Sequence, residues 1–125
     1  RWLFVYWEES EGSGPLTEEW CLNTRAKIGS TFYGGDTVVE EYTSVEKTLF
    51  LGREARRITG LWQNRTPQSG FAAGGPFRSY CFYDPGTERL YMVDIAVFAP
   101  GMAKEPYLRQ LDIIAHTFRT GKEGG

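Results

Sequence analysis

Cys21 and Cys81 are the only thiols of this chain and His116 its only imidazole, while Asp94 interrupts the otherwise apolar run from Arg89 to Ala99. These residue types carry nucleophilic, acid–base and metal chemistry. A Cys–His or Ser–His nucleophile needs a base and a third group to orient it. His116 follows Ala115 beside the apolar face of a C-terminal helix, where the helix dipole favours a cation, and so reads as a structural or solvated residue. The cysteines fit either one disulfide or two buried thiols, because separation in sequence does not fix the distance between their Cα atoms.

The carboxylates Glu8, Glu9 and Glu11, and again Glu40 and Glu41, are spaced like paired acids or calcium ligands. On a strand, however, Glu40 and Glu41 point to opposite faces and share no site, so a solvated role is expected. A buried Asp94 requires a partner, and Arg56, Arg57 or Arg78 on neighbouring strands is the expected source of a charge-assisted bond. The bland reading of Asp94 and Arg56 is a structural ion pair, or an exposed edge position for Asp94. Arg53, Arg56, Arg57, Arg65 and Arg78 could together face anionic headgroups or an acidic partner, although Arg56 and Arg57 leave a strand on opposite sides.

Gly70-Phe71-Ala72-Ala73-Gly74-Gly75-Pro76 looks superficially like a phosphate-cradling loop, but it lacks the Lys-Ser/Thr pair and leads into a strand instead of a helix. Its glycines are expected to permit positive φ, with Phe71 either tucked into the core or offered to a partner. Asn64-Arg65-Thr66 matches a glycosylation sequon, a tripeptide common by chance. No motif supports a cofactor, a metal or a catalytic residue.

The chain has 125 residues with a net charge of −2, which speaks against nucleic-acid binding through a general positive field. Aromatic residues reach 15%, an enrichment that favours sheet. No apolar run approaches the roughly 20 residues of a membrane-spanning helix, and no signal peptide is visible. Because the chain opens on Arg1 with what reads as a full strand, a processed protein, a fragment or an ordered portion is expected.

The elements that position these residues follow from periodicity. Trp2 to Glu8 reads as a strand covered on both faces. A helix capped by Thr17 carries Leu16, Trp20, Ile28 and Phe32 as its apolar stripe, with Cys21 beside it, and ends at Gly34-Gly35. Thr37 to Tyr42 reads as a strand; Thr48 to Leu51 begins another, with a tight connection at Gly52-Arg53 and a longer strand from Glu54 to Gln63. Asn64 to Pro76 holds too many breakers for regular structure and is the expected functional loop. Phe77 to Tyr83 and Arg89 to Ala99 form strands about the turn Asp84-Pro85-Gly86-Thr87. Leu108, Leu111, Ile114 or Ala115, and Phe118 mark the buried face of a second helix starting near Pro106. The sum is one α+β domain over residues 1–120, a twisted antiparallel sheet covered by two helices in β-α-β-β-β-β-β-α order, with a mobile tail over 121–125.

Gly60-Leu61-Trp62, Gly74-Gly75-Pro76-Phe77-Arg78-Ser79-Tyr80, Arg89-Leu90-Tyr91-Met92-Val93-Asp94, Val97-Phe98-Ala99-Pro100-Gly101, Leu108-Arg109-Gln110-Leu111 and Thr117-Phe118 together resemble the C-terminal half of a family of bacterial cell-envelope lipoproteins of unknown function. Members are typically longer, with a lipoprotein signal, and carry a shorter, more acidic segment where Gln63 to Ala73 stands here. The closing pair of long strands and a Leu- and Phe-bearing helix is also similar to the PsbP-like fold, whose members are commonly extrinsic, non-catalytic subunits docked on membrane complexes.

The absence of a chemical constellation and the aromatic excess, together with the resemblance, lead to the expectation of a non-catalytic, extracytoplasmic accessory subunit, periplasmic or in the cell envelope and peripheral to the membrane. Its partner would be a protein of a membrane-associated complex, docked through the Asn64 to Pro76 loop and an aromatic strand face, with Asn64, Arg65, Phe71 and Arg78 as the expected contact residues. The alternative expectation is a small-molecule-binding or hydrolytic domain with a cleft between helices and sheet, anchored by Asp94 and nearby arginines.

Overall fold

The computed structural model describes residues 2–32, 37–65 and 72–96. Their order is strand β1 (Trp2–Glu9), helix α1 (Glu18–Phe32), β2 (Thr37–Val38), a 3-10 turn (Glu40–Tyr42), β3 (Ser44–Phe50), β4 (Arg53–Arg65), β5 (Ala72–Asp84) and β6 (Arg89–Ala96). All strand pairs are antiparallel, and the sheet runs β1-β6-β5-β4, with β2 and β3 sharing the outer edge of β4. The result is a curled, half-barrel sheet with one described helix. The second helix, His116, the limits of the expected domain and its tail all fall outside the described residues.

Helix α1 begins as its sequence requires: Thr17 Oγ1 accepts the backbone N–H of Trp20 at 3.0 Å, and Glu18 and Glu19 occupy the positive end of the dipole. Its buried face holds the expected Ile28 and Cys21, with Leu16 and Trp20 packed half-buried against the same cluster, and it adds Thr24 and Arg25. Trp20 stays at the rim because its indole Nε1 donates to Glu8 Oε1 at 3.0 Å.

Alternation divides the sheet between two apolar clusters. The α1 face holds Cys21, Ile28, Ile58, Trp62, Phe77, Cys81, Met92 and Ala96. The other face holds Phe50, Ala55, Tyr80, Phe82, Tyr91, Val93 and Ile95, with Phe50 stacked on Tyr80 at 4.4 Å between centroids. β6 is buried from Leu90 to Ala96, as a central strand with two apolar faces should be. β1 is not covered on both faces: it is the terminal strand of the described sheet, and Leu3, Val5 and Trp7 are exposed.

Two segments depart from the sequence reading for identifiable reasons. Thr37 to Tyr42 is a strand only over Thr37–Val38, after which Thr43 Oγ1 donates to Val39 O at 2.7 Å and the chain bends through the 3-10 turn. Glu40 and Glu41 are therefore exposed on a turn, not on two faces of a strand. Asn64 to Pro76 is also not one irregular loop. β4 extends through Arg65, β5 starts at Ala72, and the two pair as far as Arg65↔Ala72.

Gly74 serves close backbone approach: a Cβ there would lie 2.9 Å from Trp62 O. Pro76 sits opposite Leu61, just beyond Phe77, where the described pairing of β5 with β6 begins, so its missing N–H interrupts no described ladder bond to β6. The β3–β4 turn falls at Leu51-Gly52, one residue earlier than expected, with φ of 53° and 78°. Mirror-image hairpin turns require positive φ at both central positions, and Leu51 accepts it while packing against the Phe50 cluster. The β5–β6 turn forms as expected, with Asp84 Oδ2 accepting the N–H of Thr87 at 3.0 Å.

Candidate functional site

Polar chemistry in this domain concentrates where α1 meets the sheet. Arg25 descends from the helix, Ser79 and Cys81 rise from β5, Asp94 from β6, and Cys21 lies one helical turn before Arg25. Arg25 Nε is 2.9 Å from Asp94 Oδ1, with side-chain exposures of 1% and 0%. Ser79 stands directly opposite Asp94 in the β5–β6 register and donates its hydroxyl to the same carboxylate oxygen at 2.5 Å. The Arg25 guanidinium also lies 4.6 Å from the centroid of the Phe77 ring. A buried charge is tolerable on these terms, with an opposite charge, a hydrogen bond and a ring face in place of water.

Cys21 and Cys81 are both free thiols, fully buried in the same cluster. The hydrogen bond from Cys81, helped by the positive charge of Arg56, lowers the Cys21 thiol from its ordinary value against the opposing effect of burial. Burial first, and then the Cys21 partner, pushes the Cys81 thiol well up. Arg56 is opposite Cys81 in the β4–β5 register, and its Nε donates to Leu16 O at 3.4 Å.

Asp94 pairs with Arg25 of α1, a helix residue outside the strand arginines expected from the sequence. Arg57 instead pairs with Glu46 on the surface, and Arg78 leaves β5 on the face opposite α1, between Thr59 and Ile95. Arg25 escaped notice because an arginine on a helix reads as solvated. Its spacing of four from Cys21 and three from Ile28 was the available signal.

Of the expected contact residues, Asn64 and Arg65 end β4 opposite Ala73 and Ala72, and Phe71 lies outside the described residues. Arg78 and Asp94 are not brought to a common surface.

Open features among the described residues include a cleft and an exposed row. A cleft of about 690 Å³ lies between α1 and the β2–β3 region, lined by Leu22, Lys27, Val38, Glu40 and Thr43 among others. Neither Asp94 nor Arg56 reaches it. Along β1, Leu3, Val5 and Trp7 stand opposite Ile95, Val93 and Tyr91, so the exposed row continues a buried apolar face. The Arg89 guanidinium lies 3.7 Å from the centroid of the Trp7 ring. Among the described residues no group of three or more His, Cys, Asp or Glu side chains is placed to hold a metal, and no helix is long and apolar enough to cross a membrane.

A curled antiparallel sheet with a helix pinned to one face by a buried Arg–Asp pair defines a small α+β domain. The chain belongs to a family described as a domain of unknown function (DUF4837), whose model matches residues 1–117. That match takes in the first half of the chain as well as the C-terminal motifs. No curated protein and no solved structure matches the chain.

Proposed function

We propose that this domain is a non-catalytic, extracytoplasmic accessory subunit that docks on a protein of a membrane-associated complex, peripheral to the membrane. The observation that supports it is the row of Leu3, Val5 and Trp7 on the terminal strand, three large apolar side chains at 46%, 39% and 45% exposure in strict alternation. Isolated exposed apolar residues are ordinary, but a row continuous with a buried face is what an interface looks like before its partner arrives. The occupant we assign is a strand of the partner protein pairing along the outer edge of β1 and covering that row. The resemblance to cell-envelope lipoproteins and to the PsbP-like fold belongs to the same proposal, as does a secondary contact through Asn64 and Arg65 at the end of β4 and through Phe71.

The test is photocrosslinking from Val5 in the natural membrane, with Lys47 as the control position. A stoichiometric adduct to one membrane-complex protein from Val5, lost in Trp7→Lys, supports docking. Recovery as a free monomer with no adduct from Val5 overturns it.

A second reading, a small-molecule-binding or hydrolytic domain, is supported by the cleft beside α1. It requires different anchors from those the sequence suggested, namely Lys27 and Glu40. Ligand screening with Lys27→Ala as the comparison decides it.

A further inference from the structure

We propose that Cys21 and Cys81 close an intramolecular disulfide that clamps helix α1 to strand β5 when the protein meets a small-molecule disulfide oxidant. The inference goes beyond the docking reading and does not depend on it.

The chain has two cysteines, and folding brings both to one place from different elements. Cys81 points to the α1 face because it alternates with Phe82, which belongs to the opposite cluster. Cys21 is fixed from two directions. Its backbone N–H donates to Thr17 O at 3.0 Å in the capped first turn, and one turn further on Arg25 is tied to Asp94. The helix is held to the sheet on both sides of Cys21, by Arg25 on Asp94 opposite Ser79 and by Arg56, opposite Cys81, whose Nε donates to Leu16 O at 3.4 Å, and this seats the two thiols in one buried cluster. Sequence spacing places no such constraint on them; the ion pair does.

The step balances with oxidised glutathione as the oxidant. Cys21, as thiolate, attacks one glutathione sulfur and releases a glutathione thiolate, leaving a mixed disulfide on Cys21. Cys81 then gives up its proton and attacks the Cys21 sulfur, forming the internal S–S bond and releasing the second glutathione thiolate. Two protein thiols lose two electrons in total, and one glutathione disulfide gains them. The two thiol protons go to the released glutathiones. Cys21 is the first nucleophile because it lies near the start of α1, outside the Arg25–Asp94 anchor, where the helix end can open locally while that ion pair holds, whereas Cys81 lies in the central strand β5.

The bond encloses about 60 residues, a loop long enough for the constraint on the unfolded chain to be large. The experiment equilibrates the chain in glutathione redox buffers, once folded and once in strong urea. In each, the fraction with Cys21 joined to Cys81 is read by mass after acid quench and alkylation. The expected equilibrium constant for closing the disulfide is on the order of a thousandfold higher in the folded protein, and oxidation raises Tm by roughly 10 °C. Peptide mapping should show the 21–81 link, absent in Cys21→Ser. An equal or lower constant in the folded protein overturns the inference, as does an end point of intermolecular disulfides or stable glutathione adducts. If Cys21→Ser does not fold, the folded-against-urea comparison on the natural chain still decides.

Discussion

Arg25 of helix α1 and Asp94 of strand β6, 69 positions apart, meet at 2.9 Å with almost no solvent on either side chain. This contact sets the helix on the sheet and fixes what lies on either side of it. Breaking one half of such a pair is far more damaging than never having had it, because the surviving charge stays buried. Asp94→Ala is expected to cost about 3–5 kcal/mol, while Arg25→Met with Asp94→Leu should fall within about 2 kcal/mol of the natural protein. Urea denaturation of the singles and the double checks this; strictly additive losses would remove the pair from the account.

The Arg57–Glu46 pair makes the opposite case. Both side chains reach water, at 30% and 52% exposure. Glu46→Ala is expected to cost less than about 1 kcal/mol, and less still in high salt. A loss comparable to that of Asp94→Ala would contradict the distinction between buried and exposed pairs on this sheet.

Gly74 and Gly12 offer a paired test of the β4–β5 ladder. A methyl group at Gly74 would meet Trp62 O at 2.9 Å, and backbone yields poorly, whereas nothing lies within 4 Å of the Gly12 position. Gly74→Ala should destabilise by about 1–3 kcal/mol and Gly12→Ala by no more than about 0.5 kcal/mol. Equal effects in thermal melts would mean that the strands do not pair in this register.

The thiols give the reduced protein a signature in pH. Cys81 is raised in the folded state, so the unfolded chain sheds its proton first. Its stability is therefore full below the ordinary thiol value of 9.0 and falls as pH rises above it. Cys21 is lowered, and its contribution is present above the ordinary value and lost as pH falls through its folded value. Under reductant, stability should decline above that thiol value at up to about 1.4 kcal/mol per pH unit, relative to Cys81→Ala. Parallel profiles for the two proteins would show that Cys81 is not shifted.

Trp7 separates docking from stability. Its ring is half exposed and touched by Arg89, a contact worth about 0.5–1 kcal/mol. Trp7→Lys should therefore move Tm by only a few degrees, measured by calorimetry, while abolishing the Val5 crosslink. Loss of the fold in this variant would make Trp7 a core residue instead.

Local chemistry made much of the fold legible in advance. Thr17 capped its helix, Asp84 made its turn, and the two apolar faces of β6 marked it as a central strand, because caps, turns and alternation depend on residues a few positions apart. The ends of the segment Asn64 to Pro76 read as loop because glycine and proline punctuate loops, yet Asn64 and Arg65 belong to β4 and Ala72 to Pro76 to β5. Here a carbonyl of the neighbouring strand comes so close that only glycine fits.

The candidate site was legible in its parts and not in its pairing. That Asp94 needed a cation followed from one acid in an apolar run, and that Cys21 and Cys81 were either bonded or buried followed from their number. Which cation, and whether the thiols meet, depended on how α1 lies across β5 and β6, a rigid-body relation between elements far apart in sequence. Charge and hydrophobicity demand a partner for each buried group, but only the packing of helix on sheet brings Arg25 to Asp94 and gathers Cys21 and Cys81 into one cluster.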